Sequence, residues 1–493
     1  MFLSLALLWL CVCFILFLLK PRRHKNFPPG PFVLPLLGNI LQLSLDNPLK
    51  DFERLRKTYG NIYSFYIGLK PAVVISGMKT IKEALVNKGA DFAGRPQDLL
   101  INDVNDRKGL IMADYGALWR EHRRFVLMTL RNLGVGKTSM EGIIHREIEY
   151  IIKTLEKGIG KSMSPQLMFH NAASNIICQL LFGKRYEYKD EFITKMVHSI
   201  TKLTEMINGP WAMLYDSLPV VHNLPLPFRN VFTHFKTAIG LVNTLVTEHK
   251  KSRIPGEPRD FVDSYLDEQN KRGVESSFSE EQLLVEALDL HLAGTDTTSN
   301  TLLIAFLYLS SIPQIQERCQ REIDRALEGK NRVIVGIYTC LATFRSLSRQ
   351  AVIHEVQRVG NIVPLSVFHA ATKDTELMGY TIPKGTMIIE NLSSVLNEEG
   401  QWKFPDKFNP ENFLNEQGEF IKPEAFMPFS AGPRACLGEV LARMELFLIL
   451  VTLLRKFRFE WPEDAEEPDY TPVYGVTLTT RPYNMKVQLR VPQ

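Results

Sequence analysis

The stretch of the chain best suited to chemistry is residues 429–438, FSAGPRACLG. The thiolate of Cys436 can bind iron, and N–H groups at the start of the apolar run that follows would stabilise its charge. Gly432 and Gly438 lack a Cβ, so the backbone could pass close to a flat ligand. Arg434 offers a planar guanidinium that suits a carboxylate. Together these residues predict a haem site, with Cys436 as axial ligand and Arg434 beside a propionate.

A buried cysteine in a loop is the alternative, and it is the commoner case for a cysteine taken alone. The spacing Phe-x-x-Gly-x-Arg-x-Cys-x-Gly, from Phe429 to Gly438, is far more specific. It resembles the haem-binding signature of the cytochrome P-450 superfamily, the haem-thiolate monooxygenases. The resemblance implies a haem b cofactor, with Phe429, Gly432 and Gly438 among the residues that surround it.

A second candidate group lies in the middle of a helix predicted from Ser279 to about Ser310. Ser279 and Gln282 have the spacing of a capping box. The segment AGTDTT, residues 293–298, interrupts the apolar pattern, and its hydroxyls could bond to backbone carbonyls and open a local bulge. The resemblance implies that Asp296 and Thr297 are the acid–alcohol pair that delivers protons. A capping or surface Asp-Thr is the alternative.

Two further segments are expected to reach the propionates. In the helix predicted over residues 118–130, Trp119 and Arg123 are four residues apart and share one face. The bare pattern is typical of a solvated basic face with a packed tryptophan, whereas the resemblance implies contacts with haem propionates. The segment 363–369 would cross the haem edge and bring His369 to a propionate; a surface histidine is the alternative.

A third pair is expected to be structural. Glu355 and Arg358 are three residues apart on one predicted helix face, and their position matches the Glu-x-x-Arg pair of the family, which braces the haem-side core. Residues 408–413 resemble the Pro-Glu-Arg-Phe element of the family, but Asn412 stands where arginine is usual. The expected brace is therefore Glu355 and Arg358 with a neutral third partner.

Small and apolar residues are expected to line the substrate pocket, which fits lipids and xenobiotics equally. The candidates are Ile111, Met112, Leu292, Ala293, Val363, Val367 and Val476.

Length and composition exclude some classes of protein. The 493 residues are 45% hydrophobic, enough for a large core, and the net charge of +4 without a long basic run argues against nucleic acid as a partner. The six cysteines show no paired metal spacing, and their sparseness suits a reducing compartment.

The chain divides into three predicted parts. Residues 1–19 form an uncharged apolar run whose length as a helix is close to the ~30 Å thickness of the hydrocarbon core of a bilayer. Basic residues follow at once. This predicts a single-pass anchor with the remainder on the cytosolic side. A cleavable signal peptide is the alternative. Residues 20–35 form a basic, proline-rich linker, and residues 36–493 form the catalytic domain. The resemblance implies the endoplasmic reticulum membrane.

One stretch departs from the family pattern. Residues 333–344 are apolar where related microsomal enzymes carry a polar loop, and RSLSRQ, residues 345–350, replaces a Met-Pro-Tyr-like segment. The departure puts efficient folding in doubt, but it removes no candidate catalytic residue.

The resemblance is to microsomal, vertebrate family-two members, near those acting on polyunsaturated fatty acids and drugs. It implies a mainly α fold with small β-sheets, a triangular helical prism that encloses haem. The implied activity is hydroxylation or epoxidation of lipophilic substrates with O2 and electrons from NADPH. The implied partners are NADPH–cytochrome P-450 reductase, cytochrome b5 as an optional second donor, and the lipid bilayer. Two alternatives stay open: a reductase-independent haem-thiolate isomerase or dehydratase, and a catalytically impaired haem-binding variant.

Overall fold

The computed structural model describes residues 23–44, 47–273, 276–326 and 347–490. The predicted class, mainly α with small β-sheets, is confirmed. Helices α1 to α15 span, in order, Pro48–Tyr59, Met78–Lys82, Leu100–Val104, Ala117–Asn132, Thr138–Lys157, Gln166–Phe182, Glu191–Ile207, Pro210–Ser217, Arg229–Ser252, Phe261–Arg272, Glu280–Ser311, Pro313–Ala326, Leu347–Gly360, Ser393–Leu396 and Glu439–Lys456. Strands β1 to β9 span Ile62–Ile67, Lys70–Ser76, Ser162–Met163, His369–Ala370, Thr375–Leu377, Tyr380–Ile382, Met387–Asn391, Phe457–Glu460 and Met485–Leu489.

Helix α11 is the axis of the helical core. The Ser279 hydroxyl accepts the N–H of Gln282 at 3.1 Å, and Glu280 and Glu281 lie in the first turn, where the helix dipole favours negative charge. Towards its end the helix is buried on every side, as expected for a helix without a polar face. It packs along α6 and also contacts α9 and α15. Residues carried by α11 are therefore rigidly placed.

A four-stranded sheet, in the order β1-β2-β7-β4, forms the second structural region. Strands β1 and β2 are an antiparallel hairpin that turns at Gly68, whose φ is 60°. Strand β7 runs parallel to β2, and β4 pairs antiparallel with β7, with His369 opposite Ile388. This sheet carries His369 and Glu390. Residues 477–478 do not form a strand, and the structure has only an isolated bridge beside them, between Val473 and Thr479.

A buried ion pair braces helix α13. Arg358 donates to both carboxylate oxygens of Glu355, at 2.7 and 2.8 Å, and both side chains are fully buried. The remaining donors of Arg358 reach the carbonyls of Leu396, Phe404, Pro405 and Lys407. Glu355 also accepts from the Asn412 amide at 3.1 Å. Asn412 thus occupies the place of a neutral third partner.

Three sequence expectations concern residues that the structure does not describe. The anchor at residues 1–19 lies outside the described residues, as do the start of the linker and most of the unusual stretch 333–350. Across the described residues, no helix is both long and apolar enough to cross a bilayer.

Replacing Arg358 with Lys is predicted to destabilise the protein strongly. One ammonium cannot replace a guanidinium that bonds a carboxylate and four carbonyls at once. The expected loss is about 3 kcal/mol of unfolding free energy, measured by thermal or urea unfolding. The matched control is Arg458→Lys, because Arg458 pairs with Glu317 and Glu460 at the surface. Similar losses in both variants would contradict the assigned brace.

Candidate active site

Cys436 lies between a 3-10 turn, Gly432–Arg434, and the start of α15. Its N–H donates to the Phe429 carbonyl at 3.0 Å, which closes the loop. Burial raises the pKa of the Cys436 thiol, while hydrogen bonds from the N–H groups of Gly438 and Glu439 and the charge of Arg123 oppose that rise. The side chain is nevertheless accessible. A thiol that lines an enclosed space, and does not face bulk water, is both accessible and desolvated by the surrounding protein.

The two glycines of the loop have different roles. Gly432 has a φ of 74°, and a Cβ there would lie 1.8 Å from the Leu85 carbonyl oxygen. Glycine is therefore required at 432 by the protein's own backbone, and its expected close approach to a flat ligand stays a prediction. At Gly438 a Cβ would meet only the Cys436 sulfur, at 3.9 Å. The predicted clearance for a ligand applies to Gly438.

Three arginines form a cationic cluster beside the thiol loop: Arg95, Arg123 and Arg434. Arg434 donates to the carbonyls of Ala93 and Ala113 at 2.9 and 2.8 Å. Burial and then the charge of Arg95 lower the pKa of Arg434 to about 8, and burial lowers that of Arg95 to about 10. Among the described residues, no carboxylate forms an ion pair with any of the three.

The cluster fits the anionic edge of a haem. Burying cations without a paired anion costs free energy, because the cations lose hydration and repel one another. The two carboxylates of a haem would offset both costs. Sequence reasoning missed Arg95, which stands alone between Gly94 and Pro96 and shows no periodic pattern. Its guanidinium donates to the carbonyls of Ile111, Val367 and Phe368.

Trp119 holds the cluster in place. The guanidinium of Arg434 lies 3.9 Å from its ring centroid and that of Arg123 5.4 Å, both favourable cation–π arrangements. The indole N–H donates to the Leu110 carbonyl at 3.1 Å. Arg123 also donates to the Ala435 carbonyl, which ties α4 to the thiol loop. Direct contact of Trp119 with a propionate stays a prediction.

His369 is buried in the sheet and does not lie on the surface. Its Nδ1 lies 2.8 Å from the Phe92 carbonyl and 2.9 Å from a carboxylate oxygen of Glu390. Burial lowers the pKa of His369, with the charge of Glu390 opposing. Since both neighbours of Nδ1 are acceptors, that nitrogen carries the hydrogen and Nε2 is the one left for another partner.

The acid–alcohol pair lies in a continuous part of α11, so the predicted bulge is wrong. The Thr297 hydroxyl does bond back to the Ala293 carbonyl, at 2.7 Å, but the helical backbone is not interrupted. The carboxylate of Asp296 accepts from the Thr477 hydroxyl and from the Asn300 amide. Asp296 and Thr297 therefore have separate hydrogen-bond partners.

The predicted pocket residues fall into three groups. Ile111, Met112 and Val367 belong to one apolar cluster, which also includes Leu365. Leu292 packs against two other clusters. The remaining three are part-buried: Ala293, Val363 and Val476.

Asp289 joins α11 to the loop that carries Ile111. Its carboxylate accepts the N–H groups of Leu110 and Ile111 at 2.7 and 2.9 Å. Burial raises the pKa of Asp289 to about 7. The Leu110 carbonyl in turn accepts from Trp119 and, at 3.4 Å, from Arg434. Asp289 thus positions both a pocket residue and the cationic cluster, a link that the sequence pattern did not reveal.

The pKa of Asp289 predicts a pH effect on stability. An acid whose pKa is raised on folding binds more protons in the folded state, so stability falls as pH rises from about 4, the unfolded value, to about 7. Asp289→Asn should reduce this pH-dependent loss of unfolding free energy by about 2 kcal/mol. Parallel pH–stability curves for wild type and variant, measured by thermal unfolding, would contradict the assignment.

Comparison with known sequences also indicates a haem protein. The sequence model described as Cytochrome P450 matches residues 28–487. Cytochrome P450 2J2 of Homo sapiens is 42% identical over 452 residues, which cover 91% of this chain and 88% of that protein. Cytochrome P450 2D26 of Rattus norvegicus is 40% identical over 492 residues, 97% of both chains. Cytochrome P450 2F2 of Mus musculus is 38% identical over 470 residues, 94% of both.

The family match, the accessible thiol and the cationic cluster agree on one cofactor, haem. This chain belongs to the cytochrome P450 family and is a haem-thiolate monooxygenase.

Proposed function

We propose that the protein is a membrane-bound monooxygenase that hydroxylates or epoxidises lipophilic substrates, such as fatty acids including arachidonate, steroids and xenobiotics. Electrons would come from NADPH through NADPH–cytochrome P-450 reductase, with cytochrome b5 as an optional second donor. The observation that carries the proposal is the accessible Cys436 thiol beside three guanidiniums that form no ion pair with a carboxylate of the described residues.

Different groups of the described residues would have different roles in catalysis. Bound haem would supply iron for the activation of dioxygen, with Cys436 as its thiolate ligand. Arg95, Arg123 and Arg434 would bind the propionates and so fix the orientation of the ring. Asp296 would hold a proton at its carboxylate, and Thr297 would pass it on through its hydroxyl. The part-buried apolar residues would exclude water from the substrate side.

A redox partner would dock on the surface of α4. Arg120, Arg124 and Arg131 are exposed, and so are the apolar side chains of Leu127 and Met128. The same helix contacts the thiol loop through Arg123 and the Ala435 carbonyl. A basic rim around an apolar centre suits a partner with an acidic surface, and it lies next to the predicted iron ligand.

A second exposed apolar surface suits the lipid bilayer. Trp211 and Val220 are 42% and 81% exposed near α8, and Leu69 is 44% exposed at the β1–β2 turn. These segments are neighbours, because a Cβ on Gly68 would lie 2.8 Å from the Ser217 Cα. Large exposed apolar side chains on neighbouring segments are typical of an interaction surface. Together with the predicted anchor, this surface supports membrane association, and the resemblance to microsomal members favours the endoplasmic reticulum.

Haem–thiolate ligation is tested by the spectrum of the reduced, carbon-monoxide-bound protein. The expected result is a strongly red-shifted Soret band, because a thiolate donates electron density to the iron. Cys436→Ser should lose that band, whereas Cys178→Ser should keep it, since Cys178 is buried beside His291. An ordinary Soret band in the wild type would overturn the proposal and favour an impaired haem-binding protein.

Proton delivery is tested by Asp296→Asn and Thr297→Val. Each should lower product formed per NADPH consumed by about tenfold, with hydrogen peroxide as the excess product, because general acid catalysis is lost. Thr301→Val is the matched control, since Thr301 also bonds one turn back, to the Thr297 carbonyl.

The same assay separates the two enzyme classes. Turnover of a lipid peroxide without NADPH or reductase, unaffected by either substitution, would favour the isomerase or dehydratase alternative.

A further inference from the structure

Two serines near the haem site, in different segments of the chain, have strained backbones. Ser366, in the segment that precedes His369, has a φ of 55°, and Ser430, in the thiol loop, has a φ of 57°. Positive φ values are unfavourable for residues with a Cβ, and they persist only where the surrounding structure imposes them. Something specific must therefore hold each serine.

Both serines lie beside one side chain, that of Glu390. The Ser430 hydroxyl donates to the Oε2 atom of Glu390 at 3.3 Å. The Ser366 hydroxyl lies near enough to the same carboxylate to help lower its pKa. The Oε1 atom of Glu390 lies 2.9 Å from Nδ1 of His369. Glu390 itself is anchored in β7, which pairs with β2 on one side and with β4, the strand of His369, on the other. One carboxylate thus connects three parts of the haem site.

Glu390 carries a buried negative charge. Its side chain is fully buried, and in the described part of the chain no lysine or arginine forms an ion pair with it. Burial would raise the pKa of Glu390, but His369, the Ser366 hydroxyl and Arg95 together lower it. The charge therefore lies next to the cationic cluster and offsets part of it.

We propose that Glu390 is a positioning residue of the haem site: it holds the thiol loop through Ser430 and the haem-edge segment through Ser366 and His369, and it adds a negative charge beside the propionate-binding arginines. The inference rests on the haem-thiolate function. It assigns Glu390 no contact with substrate or iron.

The two roles are separated by two substitutions in the full-length protein. Glu390→Ala removes both the hydrogen bonds and the charge, so it should accelerate haem transfer to an acceptor apoprotein about tenfold and weaken the thiolate Soret band. Glu390→Gln keeps an acceptor oxygen but no charge. It should retain most of the haem and shift the midpoint reduction potential to more positive values, because a nearby carboxylate disfavours electron uptake. Glu376→Gln is the matched control, since Glu376 is exposed in β5.

A rescue experiment tests the strain directly. Glycine adopts a positive φ without penalty, so Ser430→Gly should relieve the need for the carboxylate. Glu390→Ala with Ser430→Gly should therefore recover part of the haem retention that Glu390→Ala loses. If Glu390→Ala does not fold, Ser430→Ala provides the same test, because it removes only one hydrogen bond and should accelerate haem loss in the same direction.

Haem loss and thiolate spectra at wild-type values in both Glu390→Ala and Ser430→Ala would overturn the positioning role. An unchanged midpoint potential in Glu390→Gln would overturn the electrostatic role. Either result with a normal wild-type spectrum leaves the haem-thiolate function intact. Absence of the thiolate Soret band in the wild type would instead contradict the haem-thiolate function itself.

Discussion

Positive charge inside the protein is the constraint on which the haem site depends. Arg95 and Arg434 are buried, Arg123 is partly buried, and burial is the first cause of the lowered pKa in each. Carbonyl oxygens satisfy many of their N–H donors, but carbonyls do not neutralise charge. An anionic ligand edge is what such a cluster stabilises. Of these charges, that of Arg123 also favours the thiolate form of Cys436, which links the cationic cluster to the candidate iron ligand.

Buried carboxylates elsewhere in the fold fix the segments that surround these charges. Asp289 on α11 fixes the loop of Leu110, whose carbonyl receives Trp119 and Arg434. Glu355 and Arg358, whose side chains are both fully buried, fix the segment around residues 404–409 through hydrogen bonds to its backbone. Rigid placement matters because buried polar networks stabilise a site only when every member finds its partner.

Sequence reasoning succeeded where local chemistry is unusual. The spacing around Cys436 identified the thiol loop, and the AGTDTT segment identified the middle of α11. Ser279 correctly marked the start of that helix, because an N-cap is a local hydrogen bond that the neighbouring residues specify. It failed at the bulge, since a threonine hydroxyl can share a carbonyl without displacing the helical bond. The need for glycine at 432 that comes from Leu85 could not be predicted, because Leu85 is far away in the sequence.

The sequence by itself determined the candidate haem site and its iron ligand from residue types at short spacings, and its resemblance to a known family implied the fold class. Only the tertiary structure brought Arg95 to Arg434 and Glu390 to both Ser366 and Ser430. These residues lie far apart along the chain, and no periodicity links them. Their proximity follows from strand pairing and helix packing, and so do the pKa values of Asp289 and Arg434, because desolvation is a property of the folded surroundings and not of the residue.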